Sequence, residues 1–173
     1  MKEKFYIFLD IDGVLYDWEF LLRNSHKKGG IIKNFNPESI NALNKLISEV
    51  SMRFVPELVV ISTWRHDMDN TIKTLLDNGV IIDNISIGKT PIFSNPHNRS
   101  LEILKYVNNN LGNNYVIIDD ENFDYAEHFS KSNIIKTNMF NDSLNVDMVD
   151  LFLKTNVIQD IDKGCTDENI SNL

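Results

Sequence analysis

Short runs of consecutive apolar residues, separated by longer segments with helical periodicity, constrain the fold of this chain more than any other feature. The runs cover residues 5–9, 58–61, 115–118 and 134–135. Strands that are buried on both faces have this continuous apolar character, whereas half-exposed strands alternate apolar and polar residues. The runs therefore predict the buried parallel strands of a sheet.

The segments between the runs carry helix start and stop signals. Asn36, Pro37 and Glu38 offer an N-cap, a first-turn proline and an early acid ahead of a helix. Three further helices are predicted over 67–78, over 98–110 and from Asn141 or Asp142 onward, the last with Leu144, Met148, Leu151 and Phe152 on one face.

Strands and helices that alternate in this way predict an α/β fold with three layers, a Rossmann-like parallel sheet between two layers of helices. Residues 1–156 are expected to form one domain, and residues 157–173 a polar tail. Ligands of such folds bind outside the carboxyl ends of the strands. Functional residues are therefore expected directly after the apolar runs.

The overall charge narrows the choice of partners. Seventeen basic and 25 acidic side chains give a net charge of −8, which disfavours non-specific binding to nucleic acid. Residues 23–33 gather four Lys and Arg side chains, either as a contact for an anionic ligand or as a solvated loop. No apolar run approaches the roughly 20 residues of a membrane span, and we expect a cytoplasmic protein that does not bind membranes.

Acid pairs follow two of the predicted strands. Asp10 and Asp12 follow the first run, and Asp119 and Asp120 follow the third. An aspartate after a strand is commonly a turn or helix cap, but two pairs at neighbouring strand ends would repel each other. Hard oxygen ligands in this number suit Mg²⁺, so the sequence predicts a divalent cation at this edge of the sheet.

Hydroxyl and basic residues follow the second run. Ser62 and Thr63 could donate hydrogen bonds to a phosphoryl oxygen, and Arg65 could neutralise another. The alternative for Ser62 is an N-cap of the next helix. Trp64 is interpreted as a packing residue more readily than as a stacking platform for substrate.

In this order, these residues resemble the motifs of the haloacid dehalogenase (HAD) superfamily of phosphohydrolases. Residues 10–14 match the first motif, Ser62 the second, a basic residue before a helix the third, and Asp119 with Asp120 the fourth. More narrowly, the chain resembles the HAD domains of multi-enzyme, Swiss-army-knife RNA repair proteins, which are related to polynucleotide 3'-phosphatases. That resemblance lies in residues 9–15, 61–65, 90–91, 99–103 and 115–120.

The resemblance implies a Mg²⁺-dependent phosphatase that forms an aspartyl-phosphate. Asp10 would be the nucleophile and Asp12 the general acid and base. The Asp10 carboxylate, the Asp12 carbonyl and Asp119 or Asp120 would hold the metal. Asp124 would support it or begin a helix.

The resemblance leaves the third-motif base and the substrate open. Arg99, at the start of a predicted helix, is preferred, and Lys89, on a predicted loop, is the alternative. Residues 16–36 and 83–98 are too short for more than a minimal cap, which leaves room for a phosphorylated nucleic-acid end or a nucleotide. A catalytically silent phosphate- or metal-binding module is the alternative function. A response-regulator receiver is disfavoured because its acceptor aspartate follows the third strand, whereas Asp10 follows the first.

Overall fold

A five-stranded sheet, parallel throughout, forms the centre of the protein. The computed structural model describes residues 2–24, 34–93, 98–121 and 124–156. In the order β3-β2-β1-β4-β5, the sheet consists of β1 (Lys4–Leu9), β2 (Val55–Val60), β3 (Ser86–Lys89), β4 (Tyr115–Asp119) and β5 (Ile134–Lys136). The predicted parallel α/β fold is confirmed.

Helices cover both faces of this sheet. They are α1 (Trp18–Asn24), α2 (Pro37–Arg53), α3 (Met68–Asp77), α4 (Arg99–Tyr106), α5 (Tyr125–His128) and α6 (Val146–Asn156), with 3-10 turns at Thr63–His66 and Lys131–Asn133. Buried side chains of α2, α3 and α6 join one core cluster, and those of α4 and α5 join another on the opposite face. None of the helices in the described ranges is long and apolar enough to cross a membrane.

The predicted start of α2 is confirmed at the level of its cap. The Asn36 side chain accepts a hydrogen bond from the backbone N–H of Glu38 at 3.1 Å, and Pro37 is the first helical residue. Leu43, Leu46 and Val50 follow at helical spacing and are buried against the sheet. This helix connects β1 to its parallel neighbour β2.

Two local expectations need correction, and one short helix was not predicted. Lys89 ends the edge strand β3 instead of lying on a loop. The strand is half-exposed and lacks a continuous apolar run, but backbone pairing with β2 holds it in place. The third predicted helix ends at Tyr106, since Asn108 and Asn109 adopt positive φ angles of 51° and 59°. The short helix α1 is absent from the elements predicted by the sequence.

The fourth predicted helix is capped later than expected. Asn145, rather than Asn141 or Asp142, accepts a hydrogen bond from the backbone N–H of Met148 at 3.0 Å, and α6 begins at Val146. Leu151 is 68% exposed, so its predicted place on the buried face is wrong. Phe152 is buried as predicted, together with Leu153. The basic residues of 25–33 and the predicted tail at 157–173 lie outside the described residues.

The strand register brings the predicted acids to one level. Leu9 pairs with Ile118, and the backbone N–H of Asp10 donates to the Ile118 carbonyl at 2.9 Å. Asp10 follows Leu9 and Asp119 follows Ile118, so the two aspartates lie side by side. The chain crosses from β3 back over β1 to β4, so β1 and β4 flank the topological switch point of the sheet.

Candidate active site

Three carboxylates converge at the carboxyl ends of β1 and β4. Oxygens of Asp10, Asp119 and Asp120 all lie within 4.8 Å of one another. Asp10 is 7% exposed and Asp119 is 1% exposed, so two of the three have little access to bulk water. The structure therefore brings together acids that lie more than one hundred residues apart in the chain.

Arg99 lies between two of these acids. Its Nη1 donates to Asp10 Oδ1 at 3.1 Å and to Asp119 Oδ2 at 3.4 Å. Arg99 is the first residue of α4, and that helix packs on the face of the sheet toward which Asp10 and Asp119 point. Its buried guanidinium supplies one positive charge to a cluster of three carboxylates.

Two further donors fix Asp119. The backbone N–H of Glu121 donates to Asp119 Oδ1 at 2.8 Å, and the buried Tyr125 hydroxyl donates to Oδ2 at 2.7 Å. Tyr125 is the first residue of α5. Asp119 is thus held by its own turn, by α5 and by Arg99.

Burial shifts the protonation of all three acids. It raises the pKa of Asp10 well above its usual value, and the neighbouring Asp119 carboxylate adds to this effect. The pKa of Asp119 is also raised by burial, although Arg99 opposes the shift. Burial, with help from Asp119, raises the pKa of Asp120 to about 6. A further positive charge would stabilise the ionised forms.

Gly13 allows the two strand ends to approach this closely. It adopts φ +75°, and a Cβ at this position would overlap the side chain of Asp120. Only glycine combines that conformation with that contact at low cost. The glycine that follows the first acid pair is therefore required by both the turn and the neighbouring acid.

Asp12 has a different environment from Asp10. The Tyr16 hydroxyl and the Trp64 indole N–H, the latter at 3.1 Å, both donate to Asp12 Oδ1. The carboxylate of Asp12 is not part of the three-acid group. The separation arises because the chain leaves the extended conformation after β1, where the N–H groups of Val14 and Leu15 donate to the Ile11 carbonyl.

The residues after β2 occupy contrasting positions. Ser62 is buried, and its Oγ accepts a long hydrogen bond of 3.5 Å from the Trp64 N–H. Ser62 is thus the N-cap of the 3-10 turn, which is the alternative role that the sequence offered. Thr63 is exposed. Trp64 packs against Phe35 at 5.7 Å between ring centroids, in agreement with its interpretation as a packing residue, and it also binds Asp12.

Arg65 lies in a closed ion pair. Its Nη2 donates to Glu102 Oε2 at 2.8 Å, and its Nη1 donates to the carbonyls of Ile61 and Ser62. The described hydrogen bonds of the Arg65 guanidinium thus go to one carboxylate and two backbone carbonyls. This arrangement favours a structural role for Arg65, and its predicted contact with phosphate stays a prediction.

The structure also separates the two candidates for the third-motif base. Arg99 contacts Asp10 directly, whereas the exposed Lys89 donates from Nζ to the Arg65 carbonyl at 3.2 Å. Asp124 precedes α5 and groups with Glu127 and His128 rather than with the three strand-end acids. Arg99 is therefore the base that geometry favours, and the alternative role of Asp124 as a helix-start residue fits its position.

Sequence reasoning missed three partners of the site: Tyr16, Glu102 and Tyr125. Tyr16 lies four residues after Asp12, and Tyr125 six residues after Asp119, but no periodicity of the sequence places them on these acids. Glu102 is 37 residues from Arg65 and could have been noticed only as an acid one turn after Arg99. Each contact depends on the folded path of the chain.

The donor set fits a hard divalent cation. Three carboxylates supply oxygen ligands of the kind that Mg²⁺ prefers. Among the described residues, Arg99 donates to two of these carboxylates, and the Lys136 ammonium contacts the Asp120 carbonyl. The three carboxylates outnumber these two positive charges, so a bound cation would lower the repulsion between them.

The parallel sheet, with acids at the ends of β1 and β4, has the architecture that the resemblance to HAD phosphohydrolases predicts. A family model described as the HAD domain in Swiss Army Knife RNA repair proteins matches residues 6–143, and the chain belongs to that family. Membership points in general to the phosphatase-type hydrolases of the HAD superfamily. No curated protein is significantly similar to the chain.

Proposed function

We propose that this protein is a Mg²⁺-dependent phosphomonoester hydrolase that acts through an aspartyl-phosphate on Asp10. The observation that carries the proposal is the position of Asp10, buried at the topological switch point with Arg99 Nη1 3.1 Å from its carboxylate and two further acids beside it. The site then combines a nucleophile, a cation for the phosphoryl oxygens and a set of metal ligands.

The metal would be held by the Asp10 carboxylate, the Asp12 backbone carbonyl and Asp119 or Asp120. When bound, Mg²⁺ supplies positive charge that reduces the repulsion between an anionic nucleophile and an anionic phosphate. Tyr125 and the Glu121 N–H already orient Asp119, so this ligand does not depend on the metal for its position.

In the first step, an oxygen of the Asp10 carboxylate forms a bond to phosphorus, and the bond from phosphorus to the leaving oxygen breaks. The leaving oxygen keeps the electron pair and receives a proton from the Asp12 carboxyl group. Arg99 lies next to Asp10 and would contact the phosphoryl oxygens on which negative charge is distributed. Ser62, two residues after the adjacent β2, would supply a hydroxyl donor.

In the second step, the Asp12 carboxylate takes a proton from water, and the water oxygen attacks phosphorus. The bond between phosphorus and Asp10 breaks, which regenerates the Asp10 carboxylate and releases inorganic phosphate. Asp12 is thus acid and then base, a combination worth roughly 10² to 10⁴ in rate for positioned groups.

For the substrate we propose a phosphorylated nucleic-acid end, with a free nucleotide as the alternative. The description of the family as part of RNA repair proteins supports the first choice. The net charge of −8 disfavours binding along a nucleic-acid backbone, so recognition would centre on the terminal phosphate. Activity on an end does not require affinity for the whole strand.

Turnover of p-nitrophenyl phosphate with and without Mg²⁺ tests the proposal. We expect Asp10→Asn to abolish turnover and Asp69→Asn, which changes an exposed acid of α3, to preserve it. Wild-type turnover in the Asp10→Asn chain would contradict the assignment of the nucleophile. Phosphate and metal binding without turnover would instead support the silent binding module.

The substrate class requires a separate comparison. A 3'-phosphorylated oligonucleotide and the matching mononucleotide would be offered at equal concentration, and release of inorganic phosphate would be measured. We expect the higher kcat/KM for the oligonucleotide. A clear preference for the mononucleotide would remove the nucleic-acid end while leaving the phosphatase chemistry in place.

A further inference from the structure

One carboxylate oxygen of Asp12 accepts two hydrogen bonds from aromatic side chains. The Tyr16 hydroxyl and the Trp64 Nε1–H, at 3.1 Å, both point to Oδ1. Tyr16 reaches Asp12 because the turn after β1 brings residues 12 and 16 together as an isolated bridge. Trp64 belongs to the 3-10 turn that follows β2. Two separate segments therefore converge on a single atom.

Packing fixes the two donors in place. Phe35 stacks on Tyr16 with ring centroids 6.1 Å apart and planes 9° apart, and its ring lies 5.7 Å from Trp64. The backbone N–H of Phe35 donates to Asn78 Oδ1 at 2.8 Å, and the N–H of Asn36 donates to the Leu15 carbonyl at 2.8 Å. Tyr16 and Phe35 are both buried. Since the rings support one another, neither donor can leave Asp12 without disturbing the packing.

The chemistry of the donors distinguishes the two oxygens of Asp12. An indole N–H can only donate, so Oδ1 must present a lone pair to Trp64 in every protonation state. With Tyr16 also donating to Oδ1, a proton on the Asp12 carboxyl group is favoured on Oδ2. The aromatic pair thus selects the oxygen that carries the proton.

We infer that Tyr16 and Trp64 are positioning residues that hold Asp12 with Oδ2 as its proton-transferring atom. The inference rests on the proposed phosphatase function and deepens it, because the leaving oxygen receives its proton from a carboxyl group held in one orientation. A purely structural role, in which the two rings only fill the core, predicts a different pattern of activity.

The dependence on the leaving group separates the two roles. A departing p-nitrophenolate is stable and needs little protonation, whereas a departing alkoxide needs a proton in the transition state. Weaker orientation of Asp12 should therefore slow transfer from alkyl phosphates much more than transfer from activated aryl phosphates. Loss of core packing should lower kcat/KM by a similar factor for every substrate.

The experiment measures kcat/KM, which reports formation of the phosphoenzyme, for a series running from 2,4-dinitrophenyl phosphate through phenyl phosphate to β-glycerophosphate. The variants are Tyr16→Phe, which keeps the ring, and Trp64→Phe. For each we expect a loss of about tenfold on the alkyl ester and little loss on the dinitrophenyl ester. Circular dichroism and thermal unfolding would show that each variant is folded.

Tyr106→Phe is the matched control for loss of a hydroxyl. The Tyr106 hydroxyl donates to Glu57 Oε1 at 2.5 Å, and Tyr106 ends the helix that Arg99 begins. Its removal should give the same small change for every ester. A slope with leaving group as steep as that of Tyr16→Phe would overturn the inference, because the effect would then not be specific to Asp12.

A double-mutant cycle gives a second readout. In an Asp12→Ala background, Tyr16→Phe should cause no further loss on phenyl phosphate, because the group that it orients is gone. An additive loss would overturn the inference and assign Tyr16 to packing. If the wild type is active but Tyr16→Phe and Trp64→Phe lose the same factor on every ester, the inference is wrong and the proposed function is unaffected. Failure of the wild-type chain on every ester would remove the proposed function and the inference with it.

Discussion

Two buried arginines at the same edge of the sheet have opposite surroundings. Arg65 pairs with Glu102, with side chains 7% and 3% exposed, and the second oxygen of Glu102 accepts from the Phe93 N–H at 2.8 Å. Arg99 instead faces Asp10 and Asp119, with Asp120 beside them. The first group is balanced in charge, and the second has an excess of negative charge.

The pKa shifts of the two arginines follow this difference. Burial lowers the pKa of Arg65, and Glu102 only partly opposes it. Burial also acts to lower the pKa of Arg99, but Asp119 and Asp10 more than compensate and raise it above the ordinary value. Charge balance suits a structural ion pair, whereas an acidic cluster with one arginine can accept further positive charge. Mg²⁺ should therefore affect variants of the two groups differently.

Arg99→Met should have the largest effect. We expect kcat/KM to fall by roughly 10² to 10³, because a donor to the transition-state charge is lost. The loss of stability in metal-free buffer should be largely restored by Mg²⁺, which would replace the missing positive charge. Steady-state kinetics and thermal unfolding with and without Mg²⁺ check both parts.

Lys89→Met is the control for this variant, because Lys89 contacts the Arg65 carbonyl rather than an acid. Its kcat/KM should stay close to that of the wild type. A greater loss for Lys89→Met than for Arg99→Met would reverse the choice of third-motif base.

Glu102→Gln should lower the free energy of unfolding by about 3 kcal/mol, since it leaves the buried guanidinium of Arg65 without a counter-charge. Added Mg²⁺ should not restore this loss. Chemical denaturation in the two buffers measures the difference. Replacement of both partners, in Arg65→Met with Glu102→Met, should recover much of the stability. Rescue of Glu102→Gln by Mg²⁺ would show that the two groups are not distinct.

Gly13→Ala should weaken the acidic cluster through Asp120. The substitution costs about 1–2 kcal/mol for the left-handed conformation and also displaces the Asp120 side chain. Calorimetric titration should therefore give weaker Mg²⁺ binding. Gly79→Ala is the matched control, because Gly79 has φ +87° and nothing within 4 Å of its added Cβ. It should lose stability but bind Mg²⁺ normally, and equal affinities for the two variants would contradict this account.

Asp120→Asn should have the smallest effect, and the effect should depend on pH. Folding raises the pKa of Asp120 to about 6, whereas in the unfolded chain this carboxyl group releases its proton near pH 4. The free energy of unfolding of the wild type therefore decreases as pH rises from about 4 to about 6. Metal-free Asp120→Asn should be more stable than the wild type at pH 7.5 by about 1 kcal/mol, a value reduced for solvent screening. The difference should disappear near pH 4. A variant less stable than the wild type at pH 7.5 would oppose this prediction.

The sequence was sufficient to locate the acidic cluster because the strands that carry it are buried on both faces. Their continuous apolar runs end directly before Asp10 and Asp119, and the rule for parallel sheets places both ends at one edge. The edge strand β3 could not be found in this way, since only Ile87 is strongly apolar among its four residues. Its order comes from pairing with β2.

The partners that orient the acids were beyond the reach of the sequence for a different reason. Tyr16 contacts Asp12 because of the turn at Gly13, and Arg65 meets Glu102 across a separation of 37 residues. Residue type at the strand ends therefore suggests the chemistry that we propose. The choice between a phosphate ligand and a structural ion pair for Arg65 depends on a contact that only the folded chain defines.

The most direct test of the central claim is to trap the phosphorylated residue. During turnover of 2,4-dinitrophenyl phosphate, the Asp12→Ala chain would lack the proposed base for water, so the intermediate should accumulate. Acid quenching followed by borohydride reduction converts an aspartyl-phosphate to homoserine, which peptide mass spectrometry locates. We predict homoserine at position 10 and none in the Asp10→Asn, Asp12→Ala chain. Homoserine at position 119 or 120, or wild-type turnover with no trapped residue in Asp12→Ala, would contradict the account.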